Sequence, residues 1–360
     1  MTENIPNTGH TGHTGHTGHT GHAERTGHTT NPGNAPGSAD AYEVVVIGGG
    51  AAGLSAALVL GRARRRTLVV DAGEPRNAPA AHMQGYLSRD GMSPAEFLAT
   101  GREEIARYGV ELVRDRAVDA GRDEAVDAGR DEGFAVTLAG GRTVRARQLV
   151  VATGLKDELP PVEGLAERFG RDVLHCPYCH GWEVRDQAFG VLATSPTSVH
   201  QALIVTQWSK DVKLFLHTVG EAELSDEDLR RLAAAGVGVV PGEVAGLVVE
   251  DDRLTGIRLA GDAAAGAGTV HAREALFVAP RAVPRTDLLA RLGAEMTETP
   301  FGRYPVVDGR GLTTVPGLWA AGNASGFAEQ VVNAASRGYR AGAAINGELL
   351  MGDLDAAVRV

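Results

Sequence analysis

Cysteine is nearly missing from this sequence: 360 residues contain only two, Cys176 and Cys179. That scarcity excludes a disulfide-stapled secreted scaffold and a four-cysteine zinc centre. Positive charge is also short. Lys and Arg total 35 against 45 Asp and Glu, a formal net charge of -10. This balance argues against nucleic acid or an anionic membrane surface as a partner. Lysine is almost absent, 3 residues against 32 arginines, which reads as codon bias rather than function. No apolar h-region opens the chain, so no secretory signal is expected. The longest uncharged stretch, Val44–Leu60, approaches a membrane span in length but is rich in glycine and reads as a nucleotide-binding turn. A cytoplasmic protein without a membrane partner is the expectation.

What is present supports an ordinary soluble core, with 43% hydrophobic and 22% charged residues. The length suggests two domains. Glycine is in excess, 48 of 360, and only eight of these lie in the first forty residues. The surplus therefore belongs to the folded part. Residues 1–40 are low complexity, with a repeated Gly-His-Thr triplet, and disorder is expected there. Six of the twelve histidines sit in this tail. In an extended chain they would lie roughly 9 Å apart, too far to share a metal without folding back. No metal site is expected. A second repeat, Ala117–Glu124 copied at Ala125–Glu132, reads as a duplication lengthening a surface hairpin.

The chain then opens on a β-α-β unit: strand Glu43–Ile47, a glycine turn, helix Ala51–Gly61 and strand Thr67–Asp71. A second such unit comprises strand Phe189–Leu192, helix Val199–Trp208 and strand Val212–Leu216. Strand Ala275–Val278 and a strand-turn-helix from Leu318 to Ala344 follow. The fold class is α/β with two Rossmann-like, doubly wound domains. The first strand and the last helix are expected to share one of them.

Gly48-Gly49-Gly50-Ala51-Ala52-Gly53 fits G-x-G-x-x-G between strand and helix. The first glycine allows the tight turn, the second lets backbone approach a pyrophosphate, and the third allows close helix–strand packing. The helix N-terminus then faces the anion. Asp71 ends the next strand, where a carboxylate can accept from a ribose 2′-hydroxyl. Such a cradle serves FAD or NAD. The small-residue turns Ala152-Thr153-Gly154 and Ala321-Gly322-Asn323 favour FAD.

Cys176-Pro177-Tyr178-Cys179-His180 is C-x-x-C, the spacing of a redox dithiol. A pair that opens a helix gains a lowered thiolate pKa. Zinc is the rival, but His175 and His180 adjoin the cysteines directly and complete a tetrahedral site poorly. His180 is placed to take a proton from a substrate thiol; the bland alternative is a surface histidine.

The order of these motifs resembles the low-molecular-weight thioredoxin reductases, over residues 42 to about 350. The resemblance implies a split FAD domain (41–157 and 286–350) and an inserted NAD(P)-like domain (158–285) that carries the C-x-x-C. The match holds at Gly48, Gly50, Gly53, Thr153, Gly154, Cys176, Cys179, Gly322 and Gln330. It implies that Gln330 and Val331 begin a flavin-contacting helix. It also implies FAD contacts at Ala51, Ala52 and Ala72, and a homodimer. The outer cysteine, Cys176, would meet substrate and the inner one, Cys179, the flavin.

Four departures matter. His180 replaces the family's aspartate after the second cysteine, and Asn323 replaces the aspartate after Gly322. The inserted domain's phosphate turn reads Ala193-Thr194-Ser195-Pro196-Thr197-Ser198, without the expected glycines. His217–Glu223 offers carboxylates where arginines should bind a 2′-phosphate. Loss of NADPH binding is therefore expected. The C-P-Y-C-H-G run, Asp71 with Glu74-Pro75-Arg76-Asn77, and Gly322-Asn323 are similar to the dithiol oxidases of gliotoxin and holomycin biosynthesis. Those relatives use FAD and O2 to close an intramolecular disulfide in a small natural product, releasing H2O2. That activity is expected here, with Cys176, Cys179 and His180 catalytic, and Arg76 and Asn77 among the cofactor contacts. The alternatives are a thioredoxin-type disulfide reductase driven by NADPH or ferredoxin, and a flavin-bearing redox sensor.

Overall fold

A computed structural model describes residues 40–123, 133–261 and 268–359. Most of the tail (1–39) and the second copy of the octapeptide lie outside the described residues, so the expectations placed on them are not addressed.

The strand Ala41–Ile47 carries a β-branched run buried on both faces, the pattern of a central parallel strand. It pairs in parallel with Thr67–Val70 on one side and Thr143–Val151 on the other. Glu111–Val113 extends the first side, also in parallel. The long strand Thr143–Val151 divides its outer edge. Its first residues pair antiparallel with Gly133–Leu138, and Leu149–Val151 pair in parallel with Leu318–Ala320. Ala117–Asp123, the first copy of the octapeptide, forms the outermost strand against Gly133–Leu138.

A second, all-parallel sheet runs Gly238–Val240, Val212–Phe215, Phe189–Leu192, Ala275–Val278, Val173–Leu174. A three-stranded antiparallel sheet, Val244–Glu250, Arg253–Leu259 and Val270–Ala272, packs against it through Leu254 and Ile257. The chain enters this half through Leu155–Glu158 and leaves through Arg281–Pro284, and these two passages pair antiparallel. Two Rossmann-like units are thus joined by one two-stranded ribbon.

Several element ends differ from the sequence reading. The helix expected to reach Trp208 ends at Val205, and Thr206–Ser209 continues as hydrogen-bonded turns. The last helix runs from Val331 to Val358, beyond Ala344. Among the described residues no helix is long and apolar enough to cross a membrane.

The first helix, Ala51–Arg62, packs against the C-terminal helix through small residues. A Cβ on Gly338 would lie 1.9 Å from the Ala52 carbonyl oxygen, and one on Gly342 would lie 2.8 Å from that of Ala56. Gly347, on the same helix, has nothing within 4 Å of a built Cβ. Gly338→Ala should therefore destabilise by about 2–3 kcal/mol through overpacking. Gly347→Ala should stabilise by about 0.5–1 kcal/mol through helix propensity. Denaturant melts of the two variants check the opposite signs.

Candidate functional site

The first glycine turn does what its spacing requires. Gly48 has φ +112°, and a Cβ there would lie 2.3 Å from the Ala152 carbonyl oxygen. Gly53 lies behind the turn, where a Cβ would meet the Gly48 carbonyl oxygen at 1.8 Å. Gly50, the N-cap of the first helix, faces open space. Free backbone at a helix N-terminus beside empty volume fits a dinucleotide pyrophosphate.

That space belongs to one cavity of about 1320 Å³. Its walls include Gly48, Gly50, Ala51 and Ala52 from the first turn, with Asp71, Ala72, Arg76 and Asn77 beyond the next strand. Thr153, Gly154, Gly322, Asn323, Gln330 and Val331 complete the expected cofactor set, and Cys176, Cys179 and His180 line the same volume. Of the sequence-derived site residues only Gly53 is not in the wall, consistent with its packing role.

Cys176 is the N-cap of the short helix Pro177–His180. Both cysteines are free thiols and half-buried. A hydrogen bond from the Cys179 thiol, helped by the backbone N–H groups of Cys179 and Tyr178, pulls Cys176 down to about 7 against the cost of burial. The same interaction, with burial, pushes Cys179 up. In the dithiol form these shifts favour the thiolate at Cys176 and the proton at Cys179.

The two histidines differ. His175 donates Nδ1–H to the Val278 carbonyl at 3.2 Å. Burial holds it below the usual histidine range, with the Arg76 charge acting in the same direction. His180 has a buried Nδ1 without a partner. Burial lowers its pKa too, reinforced by His175 and opposed by Glu183. It is neutral near pH 7 and able to accept a proton.

Several expected cofactor residues are already engaged. Arg76 makes a bidentate pair with Asp157 at 2.7 and 2.8 Å. Asp71 accepts from the Gly73 N–H at 3.0 Å and from Arg114 at 2.6 Å, with Arg102 at 3.5 Å. Asn323 donates to the carbonyls of Gly326 and Phe327. Gln330, expected at the flavin, directs its side-chain amide at the sulfurs: Cys179 Sγ donates to Oε1 at 3.3 Å and Nε2 donates to Cys176 Sγ at 3.5 Å.

Sequence reasoning missed the arginines around Asp71. One signal was available: Arg114 directly follows Glu111–Val113, the strand beside the one that ends at Asp71, so both residues leave the same sheet end. It also missed Phe301, whose ring stacks on Phe327 at 3.6 Å in the cavity wall. Of Tyr86, Trp182 and Phe327, aromatic residues that could equally line a substrate wall or pack in the core, only Phe327 lines the cavity. Tyr86 packs on Phe97, and Trp182 is exposed beneath Arg185.

The glycine-poor turn of the inserted half satisfies part of itself. Thr194 N–H donates to Ser198 Oγ at 3.1 Å, the backbone N–H groups of Ser198 and Val199 bond to Ser195 and Pro196, and Pro196 has no donor. Three of its backbone donors are thus engaged and a fourth is absent. His217, where the phosphate-binding arginines were expected, accepts the Val244 N–H on Nδ1.

Because thiolate is the reactive form, alkylation of the reduced protein by iodoacetamide should rise with a midpoint near pH 7 and fall about tenfold per unit below it. Mass spectrometry should find Cys176 modified before Cys179; the reverse order would overturn the assignment.

Residues 42–338 match the family described as pyridine nucleotide-disulphide oxidoreductase. The chain is 33% identical over 342 residues to the thioredoxin reductase sirT of Leptosphaeria maculans, covering 88% of this chain and 96% of that protein. It is 30% identical to the thioredoxin reductase tcpT of Claviceps purpurea, over 86% of this chain and 94% of that one. Among solved structures, HlmI aligns with a TM-score of 0.82 at 50% identity, over 89% and 96% of the two chains. An oxidoreductase from Agrobacterium tumefaciens aligns at 0.77 and 37%, over 86% and 99%. Members of this family are typically flavin-dependent and act on thiol–disulfide pairs. With a glycine cradle and a C-x-x-C on one cavity, this chain belongs to the pyridine nucleotide-disulphide oxidoreductases, as a thioredoxin reductase-like enzyme.

Proposed function

We propose that the chain is an FAD-dependent dithiol oxidase that closes an intramolecular disulfide in a small natural product, with O2 as acceptor and H2O2 as the by-product. The observation that carries this reading is the shared cavity, about 1320 Å³, walled by both the dinucleotide cradle and the two cysteines. It exceeds the roughly 300–1,000 Å³ usual for a single ligand, leaving room for a cofactor and a small substrate. The glycine-free turn at Ala193–Ser198, with the Thr194 and Ser198 N–H groups already engaged and Pro196 without a donor, supports a dithiol rather than NADPH as the electron source. The resemblance of Cys176–Gly181 to the holomycin-type oxidases supports the same direction.

The cradle at Gly48–Gly53 would hold the FAD pyrophosphate, with Asp71 near the ribose and Thr153, Gly154 and Asn323 along the remaining length. When bound, FAD supplies a two-electron acceptor that O2 can reoxidise. The chain's own residues do the sulfur chemistry. With the cysteines oxidised to a disulfide, a substrate thiol loses its proton to neutral His180 and its thiolate attacks Cys176 Sγ. Cys179 leaves as thiolate. The substrate's second thiolate then attacks its own sulfur in the mixed disulfide and expels Cys176. The first proton rests on His180 and the Cys179 thiolate takes the second, so one S–S bond forms in the product, one breaks in the enzyme, and two electrons reach the cysteine pair.

Cys176→Ser and Cys179→Ser should each lower turnover by about a thousandfold or more while leaving a yellow protein. A Cys176→Ser enzyme that still oxidises dithiols would sink the scheme. In anaerobic titrations a small dithiol should bleach the flavin and NADPH should not. Bleaching by NADPH would favour the disulfide reductase instead.

A further inference from the structure

Gln330 and the cysteines come from opposite halves of the molecule. Gln330 caps the C-terminal helix, which packs on the first glycine-turn helix, and the cysteines lie beyond the ribbon at Leu155–Glu158. Its side chain nevertheless reaches both sulfurs, accepting from Cys179 at 3.3 Å and donating to Cys176 at 3.5 Å. A primary amide presents one acceptor and one set of donors in a single plane. A half-reacted thiol pair presents the complement, one S–H and one thiolate. The two surfaces match atom for atom.

We propose that Gln330 is a positioning residue for the thiol pair, fixing which sulfur carries the charge by donating to the thiolate and accepting from the remaining thiol. The terminal torsion of glutamine is soft and roughly two-fold. A half-turn of the amide exchanges donor and acceptor, so the same side chain serves Cys179 when that sulfur is the one without a proton. Hydrogen bonds to Gln330 lower both Cys176 and Cys179, as expected of an amide that favours the thiolate on whichever sulfur receives its N–H. The inference rests on the redox reading of the pair, but not on the identity of substrate or electron acceptor.

The test uses the full-length, flavin-loaded protein, reduced with dithiothreitol and desalted without oxygen. Iodoacetamide alkylation is followed against pH, and the modified cysteine is identified by mass spectrometry. Gln330→Met keeps the length and removes both hydrogen bonds without adding charge. Its midpoint should rise by about one pH unit, as expected when one hydrogen bond to an anion is lost. The preference for Cys176 over Cys179 should shrink with it. Gln330→Glu, which accepts but cannot donate when ionised, should raise the midpoint further. A wild-type midpoint and wild-type selectivity in the Met variant would overturn the proposal. Because no substrate or O2 enters the assay, failure of the dithiol-oxidase reading leaves this result interpretable. Conversely, an unchanged profile here leaves that reading standing.

Discussion

Missing side chains hold this site together. Two backbone approaches, Gly53 against Gly48 and Gly338 against Ala52, exist only because no Cβ intervenes. The first folds the glycine turn tightly onto its helix and leaves the helix N-terminus clear. The second brings the C-terminal helix down on that same helix, so residue 330 arrives beside a cradle formed near residue 50. The first half is assembled from separated stretches, so residues near 50 and near 340 must meet to complete it. Here the closure is made by main chain on main chain, the most rigid surface a protein has.

The inserted half has a parallel sheet whose phosphate-side turn lacks glycine. Its parallel strands still deliver a turn and a helix at Ala193–Ser198, but the Ser198 hydroxyl takes the Thr194 N–H and the hydroxyls of Ser195 and Thr197 bond to each other. At the edge of that half, Cys176 caps a single turn of helix on the cavity that also holds the glycine cradle.

Features written in local sequence were legible. The strand–turn–helix at Glu43–Gly61 and the C-x-x-C need only a few neighbouring residues to define them. Strand Ala275–Val278 matched residue for residue. What local sequence could not show was partnership across long separations. Arg76 was expected on the cofactor, yet Asp157, 81 positions away, holds it in a bidentate pair. Gln330 was expected at the flavin, yet its amide meets sulfurs about 150 positions earlier. Phe301 carried no signal, because its importance is a ring contact with Phe327 that only the folded chain creates. Helix ends failed for a gentler reason: Thr206–Ser209 keeps bonding back to the preceding turn, and hydrophobic pattern alone does not register the change in pitch.

Both passages of chain between the halves run through one antiparallel ribbon, Leu155–Glu158 beside Arg281–Pro284. Two independent strands could each swivel; two strands laddered together turn only as a unit. Arg76 on Asp157 and Arg285 on Glu74 clamp the ribbon to the first half. Rotation of the sulfur-bearing half therefore carries both strands together, strains both clamps at once and breaks the amide contacts at Gln330, so the contacts on either side of the ribbon form or fail as a set.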